Sequence, residues 1–366
     1  MLNTTESEII SISNSTLFDM QVPWKMFLII SVFSIIFFLS VLGNGIMVWI
    51  ILSQKSMRNS TNYFLVNLSA TNVLMAVTHI FPNVYYSINN KWIFGLTLCK
   101  LSQFITAFSV TVTVLTFIGM AADRFTVIMY PLRTRLSSKV ILLIIVVIWL
   151  IAIASGLIGA IKAKIVLDEN RKICDFLTED EWKLKYDISL LILQYILPLV
   201  VLTITYIPIS IRLWKSTTVG ELNRSQRECM KTKRKIVKML IAIIIIFAVC
   251  WLPYQCFFII IDLNKHLNAS PNVLIVFFII YALAMSYSFT NPLIYCIMSK
   301  KFRMGFKSFF RWCPFVTWPL AQTDLKTQTN RSCDYFKGNN DLTSNGTERL
   351  LVENEKNIVT SNITVL

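Results

Sequence analysis

Length, composition and charge exclude most classes of protein. The chain has 366 residues, of which 55% are hydrophobic and 15% charged, with a mean hydropathy of +0.61. Soluble domains carry about 25% charged residues, and disordered chains are poorer still in apolar side chains, so both classes are excluded. A content of ten glycines and ten prolines excludes collagen-like and low-complexity chains. The composition therefore predicts a membrane protein.

Apolar runs of about 20 residues, the length of a helix that crosses a bilayer, recur along the chain. Read in order, they are 26–52, 62–88, 99–129, 140–161, 188–214, 236–261 and 272–298. We therefore predict an all-α membrane protein with a seven-transmembrane helix bundle over residues 26–299. An odd number of spans places the chain ends on opposite faces of the membrane. Residues 1–25 are polar and acidic, unlike a cleavable signal peptide, and are predicted to form an N-terminal tail.

The basic residues predict how this bundle is oriented. Most of the 35 lie at 55–58, 124–139, 212–238 and after 300, which all fall on one face. Because lysine and arginine are enriched on the cytosolic side, we expect a multi-pass plasma-membrane protein with an extracellular N-terminus. The net charge of +15 follows from this orientation, so no nucleic-acid partner is predicted.

The segment after the last run is amphipathic, with Phe302, Phe306 and Phe309 on one face. We predict a short helix over 300–313 that lies against membrane lipids, and Cys313 at its end is a candidate for palmitoylation, with an unmodified thiol as the alternative. Residues 314–366 are polar and rich in hydroxyls and are predicted to form a disordered cytoplasmic tail. Phosphorylation there would recruit an arrestin; a merely solvated tail is the alternative.

The predicted topology sorts the eight cysteines. Disulfides persist only on the oxidising side of the membrane, where Cys99 and Cys174 are the two well-placed residues. We expect a bridge between them that holds the loop after the fourth run over the extracellular mouth, with two unrelated thiols as the alternative. Asn3 and Asn14 open glycosylation sequons in the extracellular tail and are candidate glycan sites.

Motifs that would indicate an enzyme are missing from the sequence. It has two histidines and lacks HExxH, GxGxxG, GxxxxGK[ST] and GxSxG, so we predict no catalysis, no metal site and no cofactor. A transporter would show internal repeats, and a channel would show a filter loop or rings of like charge. Neither signature is found, and a transporter or channel remains the distant alternative.

Polar and proline residues inside the apolar runs are costly in lipid and normally face the bundle interior. In chain order they are Gly43-Asn44, Asn67, Asn72, Asp123-Arg124-Phe125, Trp149, Pro198, Tyr206, Cys250-Trp251-Leu252-Pro253 and Asn291-Pro292-Leu293-Ile294-Tyr295. This order, with Cys99 at the start of the third run, resembles the rhodopsin-like (class A) G-protein-coupled receptors over roughly residues 26–315.

Four strings are most similar to those of the tachykinin (neurokinin) receptors. They are KRKIVKM at 233–239, FAVCWLP at 247–253, LAMS at 283–286, and FRMGFK continuing to RWCPF at 302–315. The resemblance implies a neuropeptide receptor that acts as a ligand-activated guanine-nucleotide exchange factor for heterotrimeric G proteins, of the Gq type. Receptors for neuropeptide Y-like and RYamide peptides share the general frame and are the alternative.

Residue chemistry and the resemblance together predict an activation switch. The guanidinium of Arg124 can exchange an intramolecular partner for carbonyls of a docking helix. Pro253 removes a helical hydrogen bond and creates a bend about which the sixth span can pivot, with a static kink as the alternative. The resemblance implies that Arg124 is freed as that span swings outward. The predicted switch residues are Asp123, Arg124, Tyr206, Trp251, Pro253, Asn291, Pro292 and Tyr295.

Polar and aromatic residues at the outer ends of the spans suit a peptide ligand. Thr106 stands where monoamine receptors have an aspartate, which disfavours a monoamine. The candidate ligand contacts are Asn83, Tyr86, Asn90, Gln103, Thr106, Asp187, Trp251, Tyr254, Phe258, Phe277 and Tyr281. For each, packing or interface anchoring is the alternative. Asp187 replaces the histidine usual in vertebrate tachykinin receptors, so we hypothesise an amidated peptide with Arg or Lys near its carboxyl end; a solvated loop acid is the alternative.

One departure from the superfamily concerns a sodium site. Most members have an aspartate at the position of Asn72, where it holds a sodium ion together with the seventh-span asparagine. Here Asn72, Asn291 and Thr113 are all neutral, and an amide is a poor substitute for a carboxylate around a hard cation. We therefore expect weak or no sodium sensitivity of agonist binding.

Overall fold

The computed structural model describes residues 23–54, 57–58, 60–89, 91–130, 136–168, 171–176, 180–215, 224–264, 267 and 272–310. The predicted glycan sites Asn3 and Asn14, the ligand candidate Asn90, the acylation candidate Cys313 and the tail 314–366 lie outside these residues. What the sequence predicts for them stays a prediction.

Helices make up most of the described chain. They are α1 (Pro23–Ser53), α2 (Ser60–Met75), α3 (Phe81–Asn89), α4 (Gly95–Met129), α5 (Ser138–Lys162), α6 (Asp180–Leu190), α7 (Leu197–Lys215), α8 (Arg224–Leu263), α9 (Val273–Met298) and α10 (Lys300–Phe310). Short π-helical segments join α2 to α3 at Ala76–Ile80 and α6 to α7 at Leu191–Ile196.

Seven helical stretches of the described residues are long and apolar enough to cross a membrane. In order, these first to seventh spans are Pro23–Ser53, Thr61–Tyr86, Gly95–Met129, Ser138–Lys162, Glu181–Lys215, Arg227–Leu263 and Val273–Met298. The predicted seven-helix class is confirmed. The fifth and sixth spans start earlier than their apolar runs, because each helix begins with polar turns that the hydropathy pattern does not register.

A two-stranded hairpin adds to the helical architecture. The strands β1 (Ala163–Asp168) and β2 (Arg171–Phe176) pair antiparallel, with Ile165 opposite Cys174. The hairpin follows the fourth span directly, in the loop expected to cover the mouth. We call this end of the bundle the Cys99 end and the opposite end the Arg124 end.

The third span is the centre of the bundle. In its most apolar stretch 72% of the residues are buried, whereas the corresponding shares are 17% for the first span and 22% for the fourth. Many Leu and Ile side chains of the first and fourth spans are exposed on the outside of the bundle. Asn67 of the second span donates to Thr116 (2.8 Å) and accepts from Trp149 Nε1 (2.7 Å), which joins the second, third and fourth spans. Such bonds supplement van der Waals packing, since lipid provides no hydrophobic drive between helices.

The helix α10 confirms the short helix predicted after the last span. Phe302 is buried and its ring lies 5.3 Å from that of Tyr295. Further along, Phe309 packs edge to face on Trp49 of the first span at 5.2 Å. Arg303 donates to the backbone oxygen of Ile297 (2.6 Å) and so caps the end of the seventh span. The apolar face of α10 is thus fixed against the bundle.

Candidate functional site

The loop between the fourth and fifth spans closes part of the Cys99 end. Cys99, at the start of the third span, forms the expected disulfide with Cys174 of β2. Beside the bridge, Trp92 is 1% exposed, and its backbone N–H donates to the backbone oxygen of Lys172 (2.7 Å). The ring of Tyr86 meets Trp92 edge to face at 5.9 Å. Tyr86, a predicted ligand contact, therefore supports the wall of the mouth.

A polar network between the second and third spans contains two predicted ligand contacts. Nδ1 of His79 lies 3.0 Å from Ser102 Oγ, 3.1 Å from Asn83 Nδ2 and 3.1 Å from Thr106 Oγ1. Asn83 also donates to Ser102 Oγ at 2.7 Å. Gln103 is half-buried one helical turn before Thr106. Asn83 and Thr106 are thus held by partners inside the bundle.

The orientation of the Asn83 amide follows from this network. Asn83 Nδ2 lies 2.8 Å from the backbone oxygen of His79, which can only accept, so Nδ2 is the donor end of the amide. Its two protons go to this oxygen and to Ser102 Oγ, so Nδ1 of His79 can pair with Ser102 or Thr106 as donor or as acceptor. Within the described residues, Nε2 has no hydrogen-bond partner, and neither does the hydroxyl of Tyr281, whose ring lies 5.9 Å away. Both groups are thus buried polar groups without a partner among these residues.

An aromatic wall from the sixth and seventh spans faces this network. The ring of Tyr254 lies 5.0 Å from that of Phe258 and 6.3 Å from that of Tyr281. Phe277 stacks on Tyr281 at 5.4 Å and meets Phe258 at 6.4 Å. The structure therefore brings these four predicted residues into one surface.

A charged cluster joins the fifth and sixth spans at the Cys99 end. Lys183 Nζ lies 2.7 Å from Asp262 Oδ1, and Asp187 interacts electrostatically with both residues. The second carboxylate oxygen of Asp262 is buried and has no hydrogen-bond partner in the described part of the chain. Asp187 itself is half-buried, which does not fit a fully solvated loop acid. The cluster holds two carboxyl groups and one ammonium.

Trp251 forms the floor below the aromatic wall. It is 3% exposed, and its ring lies 5.6 Å from Tyr254 above it and 6.1 Å from Phe247 below it. Phe247 in turn contacts Tyr287 at 5.3 Å and Phe117 at 5.7 Å. A continuous path of rings therefore leads from the wall into the middle of the bundle.

A small cavity lies beneath Trp251. Its lining includes Asn72, Ser109, Thr113, Trp251, Tyr287 and Ser288. Asn72 Nδ2 donates to Asn44 Oδ1 at 3.3 Å, and Asn291 Nδ2 donates to the hydroxyl of Tyr287 at 3.1 Å. The lining contains no carboxylate, and no group of three or more His, Cys, Asp or Glu residues that could hold a metal ion occurs among the residues described.

The predicted switch lies at the Arg124 end. Arg124 Nη2 is 3.1 Å from Asp123 Oδ2, and Thr61 of the second span both accepts from Arg124 and donates to Asp123 at 3.1 Å. Tyr206 and Tyr295 are buried nearby, with 6% and 1% exposure, and both interact electrostatically with Arg124. The guanidinium is thus held inside the bundle by the second and third spans.

Two prolines of the predicted switch lie inside long helices. Pro253 lies inside the helix of the sixth span, two residues beyond Trp251. Pro292 lies inside that of the seventh span and faces Gly43, at which an added Cβ would be 3.3 Å from the proline ring. Neither proline ends its helix, so each can act as a bend within a continuous span.

Sequence reasoning missed several residues that the structure places in these sites. His79, Thr61 and the pair Lys183 and Asp262 were not among the candidates. A signal existed for His79, because an ionisable residue inside an apolar span normally serves a function, and it lies one helical turn before Asn83. Thr61 and Asp262 carry no comparable signal, since each gains its role from another span.

Comparison with known proteins identifies the family. The family model "7 transmembrane receptor (rhodopsin family)" matches residues 43–295. The chain belongs to this family. It is therefore a multi-pass membrane receptor and not an enzyme, in agreement with the predictions from the sequence.

Curated relatives agree with the resemblance to tachykinin receptors. The tachykinin-like peptides receptor 99D of Drosophila melanogaster is 38% identical over 331 residues, covering 85% of this chain and 62% of that receptor. The human neuromedin-K receptor is 35% identical over 85% of this chain and 67% of its own length. The substance-P receptor of Canis lupus familiaris is 35% identical over 81% of this chain and 74% of its own length. The chain thus spans less than two thirds of the length of the fly relative.

Proposed function

We propose that this receptor binds a tachykinin-like neuropeptide at the Cys99 end and catalyses guanine-nucleotide exchange on a heterotrimeric G protein, of the Gq type, at the Arg124 end. The observation that carries the proposal is the path of rings from Tyr254 through Trp251 to Phe247, which runs along the sixth span on both sides of Pro253. The names of the relatives, which are receptors for tachykinin-like peptides, neuromedin K and substance P, support the ligand class.

In this proposal the Cys99 end is extracellular and the Arg124 end cytosolic. The basic residues of the chain support that orientation, because most of them lie at the Arg124 end or beyond the seventh span. The disulfide supports it too, since Cys99 and Cys174 require an oxidising compartment.

The ligand that fits the Cys99 end is a peptide with an amidated carboxyl terminus. Nε2 of His79 would form a hydrogen bond with one amide group of the peptide, and the hydroxyl of Tyr281 would form one with a second amide group. Pairing these groups is favourable, because a buried polar group without a hydrogen bond is costly. Asp187 and Asp262 would attract a basic side chain of the same peptide.

Activation is proposed to start at Trp251. A ligand that contacts Tyr254 would favour a different position of Trp251 and, through it, of Phe247. The part of the sixth span before Pro253 would then swing away from the third span, and Arg124 would exchange Asp123 and Thr61 for carbonyls of the G protein. Tyr206 and Tyr295, which interact electrostatically with Arg124, would then support the released guanidinium.

A calcium-mobilisation screen of amidated neuropeptides on cells expressing the chain tests the ligand class. We expect a response to tachykinin-like peptides and none to RYamide or neuropeptide Y-like peptides, which would otherwise support the alternative family. Exchange of GTPγS on purified Gq, Gi and Gs proteins tests the coupling. Ligand-independent ion current or substrate flux would instead favour a channel or transporter.

Three modifications complete the proposal. Glycans on Asn3 and Asn14, a palmitoyl group on Cys313, and phosphorylation of the tail followed by arrestin binding all fit the proposed orientation. Mass spectrometry of the receptor purified from cells before and after peptide stimulation tests each one. An unmodified Cys313, or tail phosphorylation that does not depend on stimulation, would contradict the corresponding part.

A further inference from the structure

The π-helical segment Leu191–Ile196 turns two neighbouring side chains of the fifth span inward. Gln194 and Tyr195 are 5% and 8% exposed, although consecutive positions of an α-helix point about 100° apart. Gln194 Nε2 donates to Thr111 Oγ1 of the third span at 3.0 Å. The hydroxyl of Tyr195 donates to the backbone oxygen of Ala248 in the sixth span at 2.8 Å. The fifth span is thus joined to both neighbours at one level.

Tyr195 holds two adjacent residues of the sixth span. Its ring stacks on Phe247, with centroids 6.4 Å apart, while its hydroxyl bonds to Ala248. Both partners lie on the part of the helix that precedes Pro253, one turn from Trp251. Proline weakens the helix there, because its nitrogen cannot donate to the carbonyl four residues earlier. Any pivot or rotation of this part relative to the fifth span changes both contacts of Tyr195.

The hydroxyl of Tyr195 stabilises only one arrangement of the sixth span. Inside a bilayer a hydroxyl that loses its partner finds no water to replace it, so breaking this bond is unfavourable. We infer that Tyr195 is a positioning residue, whose bond to Ala248 holds the sixth span in the resting arrangement until Trp251 and Phe247 turn. This inference rests on the proposed function, because resting and active refer to nucleotide exchange.

The variant Tyr195→Phe removes the hydroxyl and keeps the ring on Phe247. We expect ligand-independent GTPγS exchange to rise about fivefold, since one net hydrogen bond corresponds to a factor of roughly 2 to 12 in an equilibrium constant. Agonist potency should rise with it, because a larger active fraction raises apparent affinity. The matched control is Thr203→Val, which removes a hydroxyl of the same span that bonds to its own helix at Leu199 (2.7 Å).

Ligand-independent exchange that is equal to or lower than the parent's, at matched surface expression, overturns the inference. A merely structural role of Tyr195 would lower yield or melting temperature and leave that exchange unchanged. If Tyr195→Phe does not reach the surface, Tyr195→Leu is measured instead, and the same rise is expected because both contacts are lost. Peptide responses of the parent receptor test the proposed ligand class separately and do not enter this comparison.

Discussion

Replacing Asp187 by asparagine tests how the Cys99 end recognises its ligand. Asp187 lies beside Lys183 and Asp262, and the substitution removes its carboxylate without changing side-chain size. Two charges about 4 Å apart interact by about 4 kcal/mol at an effective dielectric constant of about 20. Half-exposure of Asp187 and the ammonium of Lys183 both weaken this attraction, and the measured range for interfacial charge pairs starts at about 1.5 kcal/mol. We therefore expect a loss of about tenfold in potency.

The assay compares an amidated peptide that carries arginine near its carboxyl end with the same peptide carrying citrulline, which has nearly the same shape and no charge. We expect the arginine peptide to be about tenfold more potent on the parent receptor and nearly equal to the citrulline peptide on Asp187→Asn. Glu181→Gln is the matched control. Glu181 pairs with Lys185, and both side chains are more than 70% exposed, so the same charge change there is screened by solvent.

An unchanged potency ratio in Asp187→Asn would show that the carboxylate does not meet the basic residue. An equal change in Glu181→Gln would show a general effect of surface charge. Measuring the potency ratio at a higher salt concentration also separates a specific pair at Asp187 from a general effect of surface charge. Salt screens exposed charges more strongly than a partly buried pair.

Three further perturbations follow from the geometry. Adding sodium at constant ionic strength should leave agonist affinity nearly unchanged, because the cavity beneath Trp251 lacks a carboxylate; a loss of about tenfold or more would contradict this. Gly156→Ala would place a Cβ 2.8 Å from the backbone oxygen of Phe104, so we expect a cost of about 1–3 kcal/mol and a lower melting temperature. Gly45→Ala, which meets nothing within 4 Å, is the control, and equal melting temperatures would refute the packing argument. Thr61→Val removes the hydroxyl that accepts from Arg124, and ligand-independent exchange should rise. No rise at matched expression would show that Thr61 does not restrain the guanidinium.

Much of the fold could be predicted from local properties of the chain. The length of each apolar run decides whether a helix can cross the bilayer, and this holds for every span regardless of its neighbours. The pairing of Cys99 with Cys174 followed from topology, because few cysteines lie on the expected oxidising side. The amphipathic period after 300 predicted α10. The contact of Phe309 with Trp49 could not be predicted, because Trp49 lies on the first span.

The candidate site was less accessible to sequence reasoning. Polar residues within apolar runs indicated which positions face the interior, and Trp251 was found in this way. Asn83 and Thr106 were found from their places at the outer ends of the spans and from the resemblance. Their partners were not found, because a hydrogen bond between spans depends on the rotation and height of both helices. His79 is the example, since its importance comes from Asn83 on its own span and from Ser102 and Thr106 on the next.

Spans, charge asymmetry and the order of the intramembrane motifs were determined by the sequence alone, since each depends on how a short segment partitions between water and lipid. Which side chains meet was decided by the tertiary structure. The π-helical turn that directs Tyr195 to Ala248, the approach of Asp262 to Lys183 and the bridging of Arg124 by Thr61 all join residues far apart in the chain. Such contacts exist only once packing has fixed the angle of every helix about its own axis.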